Sequence, residues 1–182
     1  MWRFATLKQV ISSRSPRVWQ ILHKAHIRPH IEHAGLAWAP GNKQDVEILE
    51  RVQRRVTRHI SGMRSLGYDE RLKTLEWPSL EERRVRGDLI LTYQTLRGNC
   101  EVDLKWHWDD PLSQQSGPAS GIRSGNALRL KPPIYESKVR NNFLTARVAK
   151  PLRDLPAGIM NATSVNAFKN AYDACKLTPI LK

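Results

Sequence analysis

Four arginines, Arg51, Arg54, Arg55 and Arg58, recur within eight residues of the chain. At ~100° per residue this spacing gathers their guanidinium groups on one arc of a helix. Each guanidinium is a planar fork of donors that meets a phosphate bidentately. A row of four can therefore follow a sugar–phosphate backbone and displace its counterions, positioning a duplex without reading its bases. The competing reading is a solvated face laced by Glu47–Arg51 and Glu50–Arg54 pairs, each acid one helical turn before its partner. Two acids cannot neutralise four arginines, so the binding reading is preferred. Arg28 and Arg84 are weaker candidates for phosphate contact.

Other groupings carry less. His23, His26, His30 and His33 fall on one face of a regular helix. One straight helix cannot wrap four ligands tetrahedrally around an ion, so a packed face of flat rings is the better reading and no metal is expected. Trp108-Asp109-Asp110 has the form of the hairpin that holds metal ions in template-copying polymerases. Two-metal chemistry needs a further carboxylate on a neighbouring strand, and none stands in a strand-like run. No glycine-rich phosphate loop or nucleophile elbow is present, so no catalytic residue and no cofactor are assigned. Asn161-Ala-Thr163 matches a glycosylation sequon, but it reads as a helix entry.

The elements that must position these residues are helical. Phe4, Leu7, Val10 and Ile11 form a first stripe. Ser15-Pro16 opens a helix predicted to run to about Trp38, kinked at Pro29. A helix over about 43–61 places Ile48, Leu49, Val52, Val56 and Ile60 on its inward arc, and Ser61-Gly62 ends it. Tyr68–Leu75 forms a short helix that Trp77-Pro78 breaks. Ser79 and Glu82 make a capping box for a helix to about Leu96, with Val85, Leu89, Tyr93 and Leu96 inward. Periodicity then vanishes, and Ser, Gly, Gln and Pro dominate 113–126. One short helix is predicted within Tyr135–Val148, with Val139 and Phe143 on its apolar side. Leu155–Gly158 is a turn, and Ser164 caps a final helix carrying Val165, Phe168 and Tyr172. The chain is thus predicted mainly α: a helical bundle over 1–98, a linker over 99–133 and a small C-terminal unit over 134–182.

Composition agrees with a nucleic-acid partner. The 182 residues carry 30 Lys+Arg against 17 Asp+Glu, a net charge of +13 and a pI of about 10.3. Arginine supplies 19 of the cations, and both halves of the chain are basic. No apolar run is long enough to span a membrane, and the first residues lack a secretory signal. Two cysteines, Cys100 and Cys175, are too few for a disulfide framework. An intracellular setting, nuclear or cytoplasmic, is expected.

Several strings, taken in order, carry a resemblance. They are Ile27-Arg-Pro-His-Ile-Glu-His-Ala with Trp38-Ala-Pro40, then Leu49-Glu-Arg-Val-Gln-Arg-Arg-Val-Thr-Arg and Tyr68-Asp-Glu-Arg-Leu-Lys-Thr-Leu. Pro78-Ser-Leu-Glu-Glu-Arg-Arg, Arg86-Gly-Asp-Leu-Ile-Leu-Thr-Tyr, Val139-Arg-Asn-Asn-Phe, Arg147-Val, Leu155-Pro156 and Ser164-Val-Asn-Ala-Phe-Lys continue them. Together they resemble the thumb and post-thumb region of jockey/LINE-type non-LTR retrotransposon reverse transcriptases. His30 matches that pattern, whereas His23, His26 and His33 replace its usual tyrosines. The resemblance implies a helical thumb that grips a template–primer duplex. It places the catalytic aspartates and magnesium in a palm upstream of this chain, so the chain alone is expected to be inactive. An interaction module docking on a palm domain or an acidic partner, and a relic of a mobile element without function, are the alternatives.

Overall fold

The computed structural model describes residues 2–33, 35, 39–101, 104 and 135–177. The described residues are mainly helical and contain no strand. They form two compact units that divide between Arg84 and Val85, inside the helix Leu80–Leu96. The division therefore falls earlier than the boundary predicted near residue 98. Most of the predicted linker, together with Trp108-Asp109-Asp110, lies outside the described residues.

The first unit begins with α1 (Trp2–Val10) and α2 (Pro16–Leu22). Trp19 is fully buried between them and α4. Its indole Nε1 donates to the Ser13 carbonyl at 2.8 Å, and edge-on contacts tie its ring to Phe4 and His59. Pro16 occupies the first turn of α2 as predicted, although the Ser15 side chain makes no capping bond.

Beyond Leu22 the helix widens into a π turn, His23–Ile27, before α3 (Arg28–Ile31). Pro29 explains the widening. It has no N–H to donate to Ala25, and its ring crowds that carbonyl in α geometry. A π turn absorbs the misfit, and the Arg28 N–H reaches back five residues to the His23 carbonyl. The helix ends at Ile31, not near Trp38. The changed register leaves His23 buried and His26, His30 and His33 exposed, so the expected packed face of four rings reduces to one.

Helix α4 (Lys43–His59) precedes α5 (Tyr68–Leu75). Gly62 takes a φ of +77° in the turn between them, where a side chain would strain the backbone. The Glu70 carboxylate accepts from the Gly67 N–H at 2.8 Å and secures the start of α5. Glu76, in the left-handed region at φ 54°, ends it and lets the Trp77 N–H return to the Leu72 carbonyl. The capping box predicted for α6 (Leu80–Leu96) is present: the Ser79 N–H donates to Glu82 at 2.9 Å, and the Glu82 N–H donates to the Ser79 hydroxyl at 3.1 Å.

The second unit packs α6 residues Leu89, Tyr93 and Leu96 against Leu144, Val148, Leu152, Ile159, Phe168 and Tyr172. The Tyr93 and Phe168 rings stack at 4.6 Å, and the Tyr93 hydroxyl donates to the Ala162 carbonyl at 2.6 Å. Arg147 grips Asp88 through two bonds of 2.8 Å. Arg86 similarly grips Asp173, and its guanidinium holds the Asp173 carboxyl below the usual carboxylate range.

In place of one helix over 135–148 there are two single turns, α7 (Lys138–Asn141) and α8 (Leu144–Arg147). The Asn141 side chain bonds both the N–H and the carbonyl of Tyr135, competing with helical pairing. Val139 and Phe143 are consequently 74% and 54% exposed rather than inward. The short helices α9 (Ala149–Arg153) and α10 (Ala157–Met160) follow, the latter where a simple turn was predicted. Ser164 caps α11 (Val165–Leu177), accepting from the Ala167 N–H at 3.1 Å.

Candidate nucleic-acid interface

Helix α4 buries part of the arc that its apolar residues mark: Val56 and the following Ile60 are enclosed, and Leu49 and Val52 are half-buried. Its buried residues are Glu50, Gln53, Val56 and Thr57, while Ile48 is 53% exposed. At ~100° per residue, the buried arc is turned roughly 70° from the predicted one.

Partners distant in sequence account for the turn. The Tyr68 hydroxyl donates to the Glu50 carboxylate, which also accepts the Leu80 N–H at 3.3 Å. The Gln53 amide donates to the Pro78 carbonyl at 3.0 Å, and the Arg71 Nε donates to the Thr57 hydroxyl at 3.2 Å. Three polar side chains of α4 thus hold α5 and the start of α6. Burial, then the Glu50 hydrogen bond and charge, push the Tyr68 phenol above its ordinary range, so the hydroxyl keeps its proton as donor.

The arginine arc lies nearly opposite this buried side. Arg51, Arg54, Arg55 and Arg58 are all exposed, as their spacing predicts. The expected acid pairing is corrected in both members. Glu50 turns inward and is unavailable to Arg54, while Glu47 meets Arg54, at 3.4 Å, rather than Arg51. An exposed pair of this kind contributes at most about 1 kcal/mol.

The two weaker candidates are placed differently. Arg28 is half-buried and faces Glu32 at 3.6 Å. Glu32 also takes the fork of Arg83, with a 2.9 Å bond on its second oxygen. Arg28 therefore shares an acid whose two oxygens are already bonded by Arg83. Arg84 is half-buried, and one terminal guanidinium nitrogen is enclosed without a hydrogen-bond partner among the described residues.

Sequence reasoning missed Tyr68 and Arg71. The Arg54 and Arg71 guanidinium carbons lie 5.0 and 5.6 Å from the Tyr68 ring centroid. The available signal was their separation of one helical turn on α5, which puts both on the side facing α4.

Among the described residues no cluster of His, Cys, Asp and Glu could hold a metal ion, and no helix is long and apolar enough to cross a membrane. Among the described residues Cys100 and Cys175 form no disulfide. Compared with known proteins, the chain matches no family model, no curated protein and no solved structure.

Proposed function

We propose that this chain grips the sugar–phosphate backbone of a nucleic-acid duplex, as the thumb-side part of a non-LTR retrotransposon reverse transcriptase whose reacting centre lies elsewhere. The observation that carries the proposal is the exposure of Arg51, Arg54, Arg55 and Arg58 on the side of α4 turned away from its buried residues. That helix spaces four guanidinium groups along one side, of which Arg54 meets Glu47. The ordered resemblance in sequence supports an RNA/DNA hybrid as the duplex. Phosphate contacts release counterions, so binding should weaken steeply with salt and show little preference for base sequence.

The test measures affinity for a short RNA/DNA hybrid across a salt series. Arg51→Ala and Arg55→Ala should each weaken binding and lower the log–log salt slope by about one. Salt-independent binding, or none by the intact chain, would falsify the proposal. A second reading, docking on a palm domain or an acidic protein, draws on the exposed side chains of Val10 and Ile21. Retention of an acidic protein without affinity for the hybrid would favour it.

A further inference from the structure

We propose that Arg71 and Arg54, which share the ring of Tyr68, form with Arg58, one helical turn beyond Arg54 on α4, a site for a single phosphate group on the α5 side of the arginine arc. Arg71 is only 7% exposed, yet among the described residues no carboxylate pairs with it. Its hydrogen bonds go to neutral acceptors, the Thr57 hydroxyl at 3.2 Å and the Leu66 carbonyl at 2.7 Å. A buried cation is costly unless a counter-charge accompanies it. Here the neighbours are of the same sign. Burial first, and then the charge of Arg58, with a smaller contribution from Arg54, hold Arg71 below the ordinary guanidinium range. The ring of Tyr68, which favours cations over its face, offsets this in part.

The nearest acids do not close the gap. Glu50 is taken by the Tyr68 hydroxyl and the Leu80 N–H, and Glu47 touches only the outer guanidinium of Arg54. Arg54 and Arg71 share the Tyr68 ring, with Arg58 one turn along α4 from Arg54, and these acids do not match their charge. A tetrahedral oxyanion offers each of them a charge-assisted hydrogen bond, the geometry for which arginine forks are suited. The buried bonds of Arg71 hold its fork in place before the anion arrives. The site draws on the duplex-gripping proposal for the source of its phosphate, the nucleic-acid backbone, but its chemistry would hold for any accessible phosphate group.

Two probes separate the site from that proposal. The first is inorganic phosphate, compared with chloride at equal ionic strength, with the thermal unfolding midpoint of the full chain as readout. Phosphate should raise the midpoint of the native chain and not that of Arg58→Ala. The second is a mutant cycle on binding of a short RNA/DNA hybrid. Arg58→Ala should cost about tenfold in the native background and less than about twofold when Arg71 is already Lys, whereas Arg55→Ala should cost the same in both. If Arg71→Lys does not fold, the cycle is run with Arg54→Ala and Arg58→Ala, both at exposed positions. A phosphate effect without hybrid binding supports the site and overturns the duplex proposal. Hybrid binding with multiplicative losses and no phosphate effect leaves the duplex proposal standing and overturns the site. An equal phosphate effect in Arg58→Ala also overturns it.

Discussion

The imidazole of His23 stacks on the indole of Trp77 with ring centroids 4.3 Å apart. Among the described residues neither its Nε2 nor the Trp77 Nε1 has a hydrogen-bond partner. Burial, followed by the charge of Arg28, pushes His23 down to about 4; Arg83 and Lys24 act in the same direction, and Glu32 opposes them. The native state therefore holds His23 neutral, while the unfolded chain takes up a proton near pH ~6.5. The stability from this group is complete above that pH and is lost progressively as pH falls toward 4. The loss is on the order of 3 kcal/mol at the acid end. His23→Phe keeps an aromatic ring against Trp77 and cannot titrate. Denaturant unfolding of the two proteins between pH 7 and 4, followed by tryptophan fluorescence, should show the native chain losing stability relative to the variant. Parallel curves would show that His23 does not carry this dependence.

At the scale of elements, local signals placed the ends of α5 and α6 well, missed the end of the helix opened at Pro16, and marked only part of the buried side of α4. The spans of α5 and α6 and the Ser164 cap of α11 could be read because capping residues and apolar period act within a few residues of one another. The inward turn of Glu50, Gln53 and Thr57 could not, because Tyr68, Pro78, Leu80 and Arg71 decide it from the following segments. Exposed Arg51, Arg54, Arg55 and Arg58 were legible for the opposite reason: charged side chains avoid burial whatever packs behind them. Arg71 breaks that rule, and so it was missed.

The end of α5 offers a further check. Glu76 holds a left-handed conformation that costs a residue with a side chain about 1 kcal/mol or more relative to glycine. Glu76→Gly relieves the strain but frees the unfolded chain, so a net gain of about 0.5 kcal/mol is expected. The midpoint of chemical denaturation should move upward. A lower midpoint would mean that the Glu76 side chain stabilises the turn by more than its backbone costs.

At the scale of the whole molecule, each unit has its own apolar centre, one around Trp19, Val56, Ile60 and Trp77, the other around Tyr93, Leu152 and Phe168. Phe168 is fully buried and stacked on Tyr93, so Phe168→Ala should cost about 3–5 kcal/mol. Amide hydrogen exchange should show the loss of protection in α8 to α11 and in the part of α6 that packs with them. Unchanged protection there would mean that this core contributes little to holding those helices.

The amino-acid order alone determined that the chain is mainly helical, where its capped helices begin, and that four arginines share an outward arc. These features follow from repeat, caps and charge, whose physics acts over one or two turns. Tertiary structure decided that Glu50, Gln53 and Thr57 join Val56 on the inner side of α4, that only one histidine of four is enclosed, that Val139 and Phe143 face outward, and that Arg71 is enclosed beside Thr57 and Tyr68. Each of these outcomes depends on hydrogen-bond partners or packing surfaces contributed elsewhere, or on a helix register altered by proline, and the 3.6-residue period of one segment cannot encode either.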